Sequence, residues 1–217
     1  MDSKMENSYD NVPHISAFAG DMNFMVPYIN AGGPPSHQKT DGNTILHAAV
    51  EGWQFSMVEY LILCGADINA QNKYGDTPMH TLVRSNNVPF NGKFLNDIKA
   101  EDAREKTFQL LFLKRADLSI KNEQGVNPLH LSSYNDDIFA VKQLLPRVGS
   151  IDDLSCKGIT ALVYAILEEH VEVTKLLISS GANLNFTFNE GITPLRLLYS
   201  SDNPELKALA DLYYKTK

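Results

Sequence analysis

Short apolar runs alternate along this chain with polar stretches punctuated by glycine, and the runs come in pairs. The first of a pair is short and follows a polar residue, as PMHTLV follows Thr77. The second places apolar residues at helical spacing: Val58, Leu61 and Ile62 in one copy, Val173, Leu176 and Leu177 in another. That period lines one face of a helix. Thr ahead of Pro supplies an N-cap oxygen, and Pro suits the first helical turn. Gly65 and Gly181 stand where a left-handed residue ends the second helix. A further glycine, Gly75 or Gly191, suits a tight turn. The pattern predicts a unit of two short helices and a protruding finger.

The units keep one ruler. Gly42, Gly75, Gly125, Gly158 and Gly191 are spaced 33, 50, 33 and 33 residues apart. His14, His47 and His80 follow the same step of 33, His130 comes 50 later, and Val163 and Arg196 hold that slot in turn. Thr44, Thr77, Asn127, Thr160 and Thr193 occupy another. Six units result, the third lengthened by 17 residues. One such unit buries too little apolar surface alone, so neighbours must stack into a shared core.

The segments GNTILHAAVEG, GDTPMHTLV, GVNPLHLSS, GITALVYAI and GITPLRLLY resemble the TPLHxAA segment of the ankyrin repeat. YLILCGADINAQNKYG and KLLISSGANLNFTFNEG resemble that family's second helix, glycine terminator and loop. The resemblance implies an all-α ankyrin-repeat solenoid over residues 13–217, after an N-terminal segment 1–12. The approximate repeats are 13–40, 41–73, 74–123, 124–156, 157–189 and 190–217, with an insertion at about 86–102.

The end units depart from the pattern as caps do. The first lacks a finger glycine and carries Pro27 within its second helix. Proline there costs roughly 3 kcal/mol in an undisturbed helix, so that helix is expected to start late or bend. The last unit carries Lys207, Asp211, Lys215 and Lys217 and reads as a polar C-terminal cap.

The insertion falls between the two helices of the third unit. Its VPFNGKFL segment places Asn91-Gly92 between apolar residues, a signal for a type I′ hairpin. AEDAREK then reads as an early extension of the following helix, with acids in its first turn. Val88, Phe90 and Phe94 are candidates to contact a partner or to cover the groove edge; idle variation is the alternative, because long loops are thermodynamically tolerated.

Composition narrows the function. The net charge is −7 and the pI about 5.3, without a basic run, so a nucleic-acid partner is not expected. No apolar window approaches a membrane span, and the N-terminus shows no signal peptide. Cys64 and Cys156 have no metal-site spacing and fit a reducing compartment, giving a cytoplasmic expectation, with the nucleus or a host cytosol as alternatives.

Candidate chemistry is sparse. No nucleophile elbow, phosphate loop or HExxH is present, so no catalytic residue, cofactor or metal is expected. Equivalent histidines on stacked helices lie about 8–10 Å apart and cannot share an ion whose ligands sit about 2 Å away. Their expected role is to bond neighbouring loops or threonine hydroxyls. Glu168-Glu169-His170 reads as a solvated turn between helices.

The resemblance implies a non-enzymatic protein-interaction module, an adaptor, inhibitor or pathogen effector. It would bind through its concave face, its fingers and the 86–102 insertion, as a monomer. A targeting or regulatory subunit of an enzyme complex is the alternative. The carried-over finger positions are Thr40, Asp41 and Asn43; Lys73, Tyr74 and Asp76; Glu123, Gln124 and Val126; Cys156, Lys157 and Ile159; Asn189, Glu190 and Ile192. The first-helix ends are Glu51, Arg84, Ser85, Tyr134, Asn135, Leu167 and Glu168. Trp53 takes a slot that is usually glycine. The partner-binding candidates are Trp53, Lys73, Tyr74, Asp76, Arg84, Phe90, Phe94, Gln124 and Tyr134, since Tyr, Trp and Arg dominate interfaces. The acidic balance favours a basic or amphipathic segment as partner. Asn69 sits in a leucine-spaced motif that resembles the asparagine hydroxylation site of ankyrin repeats; a loop-stabilising role is the alternative.

Overall fold

The computed structural model describes residues 11–85, 97–188 and 191–215. Twelve helices occur among them: α1 Val12–Ala19, α2 Met22–Asn30, α3 Ile45–Glu51, α4 Phe55–Leu63, α5 Pro78–Arg84, α6 Asp97–Leu113, α7 Pro128–Tyr134, α8 Ile138–Leu144, α9 Ala161–Leu167, α10 Val171–Ser179, α11 Pro194–Ser200 and α12 Pro204–Lys215. The remaining regular pairing among the described residues is two isolated bridges, Gln38 with Thr44 and Phe188 with Ile192.

Odd-numbered helices from α3 to α11 begin alike because their sequences begin alike. Thr44, Thr77, Asn127, Thr160 and Thr193 are extended N-caps, and each side-chain oxygen accepts the backbone N–H three residues on. That satisfies one of the donors every helix start leaves open. Helix α1 differs: Asn11 has helical φ and ψ and makes no side-chain cap bond.

Helices α2, α4, α6 and α10 are followed by a left-handed residue, Gly32 at φ 93° in the first case, whereas α8 ends on Leu145 in the right-handed region. Gly65 (φ 93°) and Gly181 (φ 95°) fill that place as expected. Arg115 fills it after α6 with φ 62°. It closes the same pair of bonds: Arg115 N–H donates to Phe112 O at 3.0 Å, and Ala116 N–H to Leu111 O at 2.9 Å. The backbone demand of the turn overrides the side chain that happens to be there.

By contact density the chain divides into two compact units, Met1–Asp117 and Leu118–Lys217. In the first, α1 packs on α3, α3 on α5, and each on its own second helix, with α4 against α6. In the second, α7, α9 and α11 pack in sequence, backed by α8, α10 and α12. The core slots of the second helices lie eight, seven and four residues before the terminator. Met57, Val58 and Leu61 fill them in α4, Thr107, Phe108 and Leu111 in α6, and Val173, Thr174 and Leu177 in α10, all at 0–1% exposure. Ile62 and Leu176, grouped with the core by periodicity, are half-buried flanks.

Helix α2 does not start late. It begins at Met22, capped by Asp21, whose carboxylate accepts from Asn23 and Phe24, and it runs through Pro27. Proline removes one interior donor, while the Pro27 carbonyl still accepts from Ala31 N–H at 2.9 Å. Helix α6 begins at Asp97, so the extension foreseen at AEDAREK starts earlier still. The expected Asn91-Gly92 hairpin, with Val88, Phe90 and Phe94, lies outside the described residues, as do Asn189 and Glu190.

Candidate interaction surface

Five fingers share one hydrogen-bonded turn. Lys39, Asn72, Asn122, Ser155 and Phe188 donate their N–H to the carbonyls of Asn43, Asp76, Val126, Ile159 and Ile192 at 2.9–3.0 Å. Glycine at φ between 68° and 86° supplies the left-handed bend of each, from Gly42 to Gly191. Side chains tighten the turn: Asn72 Oδ1 accepts from Tyr74 and Asp76, and Asn122 Oδ1 from Gln124 and Val126.

Neighbouring fingers are tied as well. In the first unit Lys73 N–H donates to Asp41 O at 3.0 Å, and Asn72 Nδ2 donates to Asn43 Oδ1 at 2.8 Å. In the second, Cys156 N–H donates to Gln124 O at 3.1 Å. Burial pushes the Asp41 carboxyl up, but hydrogen bonds from Asn43 outweigh it and hold the pKa below the usual carboxylate range.

The histidines tie first helices to the neighbouring loops, the finger itself for His14 and His47 and the segment just before it for His130. His47 Nε2 donates to Asp76 O at 3.0 Å, and His130 Nε2 to Asp153 O at 2.8 Å. Their Nδ1 atoms accept from the backbone N–H of Thr44 and Asn127. A carbonyl accepts only, so His47 Nε2 carries the proton and that ring is neutral, whereas His130 Nδ1 also lies 2.6 Å from Asn127 Oδ1. Burial, opposed by these carbonyl bonds, lowers both pKa values below 6.5. His14 Nε2 makes the equivalent bond to Asn43 O at 2.8 Å.

On this scaffold the predicted contact residues fall into three groups. Lys73, Tyr74 and Gln124 stand exposed on finger tips, Tyr74 at 62%. Arg84 is exposed at the end of α5, and its guanidinium meets Asp76 Oδ2 at 2.9 Å. Asp76 is itself 5% exposed, so it aims Arg84 rather than facing solvent. Trp53 is half-buried at φ 52°, and its indole N–H donates to Ser85 Oγ at 2.8 Å. Among the other finger and helix-end positions, Val126, Ile159 and Ser85 are buried, and Ile159 packs with Val163 and Phe188. Those three support the surface from beneath.

Tyr134, exposed at the end of α7, meets Tyr164 edge-on with ring centroids 6.0 Å apart. His170 Nε2 donates to Tyr134 O at 2.9 Å. Sequence reasoning missed Tyr164, although its place four residues after the N-cap, where Leu131 stands in α7, was a usable signal. Glu168 and Glu169 are exposed and Glu169 sits at φ 59°, the turn conformation expected of that cluster.

Asn69 is a loop staple. Its N–H donates to Asp67 Oδ1 at 2.9 Å, and its Oδ1 accepts from Asp117 N–H at 2.9 Å. Asp152 does the same for Asn183 N–H at 3.0 Å. Cys64 and Cys156 are free thiols. Among the described residues no three His, Cys, Asp or Glu side chains gather as a metal site, and no helix is long and apolar enough to cross a membrane.

Known proteins carry the same pattern. Two family models match, both ankyrin repeats: the three-copy model over residues 97–188 and the many-copy model over 28–82. An ankyrin repeat domain from Acinetobacter baumannii superposes with a TM-score of 0.74, at 21% identity, covering 93% of this chain and 97% of that one. Human neurogenic locus notch homolog protein 1 is 30% identical over 175 residues, 76% of this chain. Mouse rabankyrin-5 is 27% identical over 169 residues, and an ankyrin repeat protein of Acanthamoeba polyphaga mimivirus 24% over 152. The chain spans only 6%, 13% and 18% of these three relatives. It belongs to the ankyrin repeat family, whose repeats make it a protein–protein interaction module.

Proposed function

We propose that the chain acts without catalysis, holding a protein partner on its finger tips and on the C-terminal ends of its first helices. The observation that carries this reading is Tyr74. It is 62% exposed on a finger whose backbone groups are bound internally, so its ring is presented rather than packed. Lys73 beside it and Arg84, aimed by Asp76, extend the surface; Trp53 braces the end of α5 through Ser85. Rigid presentation of aromatic and Arg side chains lowers the entropy cost of binding. Gln124 and Tyr134 contribute from the second unit, and Phe90 and Phe94 from the insertion. A basic or amphipathic segment suits the chain's net charge of −7, and a cytoplasmic or nuclear compartment suits its free thiols.

Affinity purification with mass spectrometry tests this. Wild type is compared with Tyr74→Ala/Arg84→Ala and with a deletion of residues 86–96, which stops short of α6 at Asp97. The double variant is expected to lose partners that wild type retains. Equal recovery by all three chains overturns the assignment. The partners recovered separate an adaptor, inhibitor or effector from one another.

A targeting or regulatory subunit of an enzyme complex is the second reading. Co-purification of an active enzyme whose activity falls when residues 13–217 are deleted would favour it.

A further inference from the structure

The seventh residue after the first-helix N-cap is Phe18, Glu51 and Arg84 in the first unit and Tyr134, Leu167 and Ser200 in the second. Tyr134 is 48% and Leu167 54% exposed. Single exposed apolar residues need no explanation. These two are joined into a patch by Tyr164. Its ring meets Tyr134 at 6.0 Å and 88°, and it lies one turn before Leu167 on α9. His130 meets the same ring at 5.9 Å and 89°, and half-buried Tyr164 also packs against the cluster of Ile159, Val163 and Phe188. The bond from His170 to the Tyr134 carbonyl fixes the helix end that carries the outer ring.

The rim of this patch is acidic. Asp136 follows Tyr134 by two residues, and Glu168 and Glu169 follow Leu167 directly. All three are exposed. Asp136 and Glu169 occupy equivalent left-handed turns, with φ 53° and 59°, a slot that Gly20 at φ 73° and Trp53 at φ 52° fill in the first unit. Glycine would relieve both turns. The chain keeps two carboxylates in a costly conformation beside an apolar patch instead. His170 Nε2 is engaged by the Tyr134 carbonyl, and its Nδ1 lies 3.9 Å from Asp136 Oδ1.

We propose that Tyr134, Tyr164 and Leu167 receive one large apolar side chain of a protein segment that carries Lys or Arg on both sides of it. Charge complementarity selects this occupant: an acidic segment would meet Asp136, Glu168 and Glu169 with like charge. The inference rests on the interaction reading above and adds the chemistry of the bound segment.

The test is selection of random short peptides displayed on phage, with the full chain as bait, followed by anisotropy titration of the enriched peptides. Enrichment of a Leu, Ile, Phe or Trp bracketed by Lys or Arg is expected. Binding should weaken about tenfold in Tyr134→Ala/Leu167→Lys, the size expected for one lost apolar anchor. It should also weaken as salt is raised. Asp136→Gly/Glu169→Gly should melt at a higher temperature than wild type yet bind basic-flanked peptides more weakly, so misfolding cannot explain that loss. Enrichment of acidic peptides, no enrichment, or binding unchanged in the Tyr134/Leu167 variant overturns the proposal. Enriched peptides that depend on Tyr74 and Arg84 would overturn it too, while leaving the wider interaction reading intact.

Discussion

His47 Nε2 lies 3.0 Å from the main-chain oxygen of Asp76, a residue 29 positions further along the chain. The ring thereby joins a first helix to the next finger. It does so only as a neutral imidazole, because Nδ1 must accept from Thr44 N–H at 3.1 Å. Protonation would set two donors against each other.

This fixes a pH dependence. Burial, the largest influence, lowers the pKa of His14, His47 and His130 below their ordinary 6.5. Below 6.5 the unfolded chain takes up protons that the folded chain refuses. Stability is therefore complete above 6.5 and is lost as pH falls toward the depressed folded values. Thermal melts should show a falling midpoint from pH 7.5 to pH 5.5, and His47→Gln should flatten that slope. A midpoint independent of pH in this window would contradict the neutral-ring assignment.

Arg115 sits at φ 62° in the slot that Gly65 and Gly181 fill elsewhere. Arg115→Gly should stabilise the chain by about 1 kcal/mol, the cost of a left-handed non-glycine residue less glycine's greater unfolded freedom. Arg115→Ala should give no such gain. Urea unfolding midpoints compare the two.

The hydroxyl of Thr174 is fully buried in α10 without a hydrogen-bond partner. Its counterpart in α4 is Val58, equally buried. Thr174→Val should raise stability by about 1 kcal/mol by removing an unsatisfied polar atom at nearly constant volume. Calorimetric unfolding would detect it, and a destabilised variant would point to a partner for that hydroxyl.

Gly52 has an ordinary φ of −81° but lies against the carbonyl oxygen of Phe18, where a Cβ has no room. Gly181 has open space around it but φ 95°. Gly52→Ala should therefore cost more, roughly 1–3 kcal/mol by overpacking α1 against α3, against about 1 kcal/mol for Gly181→Ala. Equal losses in circular-dichroism melts would count against the close contact.

The repeat was legible because it is written in local chemistry. A threonine cap, a proline in the first turn and a glycine terminator each act within a few residues, so Thr77, Pro78 and Gly65 announce themselves. Of the two outcomes expected from Pro27, the late start is not seen: Asp21 caps α2 at its first turn, and the Pro27 carbonyl still finds a donor in Ala31 N–H. Asp76 looked like a contact residue by its place beside a finger glycine. Its burial and its grip on Arg84 follow from a side chain eight positions away turning back over the finger. Tyr164 went unnamed because only stacking of α9 on α7 brings its ring to Tyr134.

The sequence by itself determined the unit, its period of 33 and the caps and turns that make each helix begin and end, since these forces act between near neighbours. Tertiary structure alone decided which side chains of each unit remain available. Stacking turned Ile159 and Val126 inward, committed Asp76 to Arg84 and Trp53 to Ser85, and left Tyr74, Tyr134 and Leu167 to solvent. Availability depends on what the next unit covers, and residues 29 or more positions away supply that cover only once the helices have stacked.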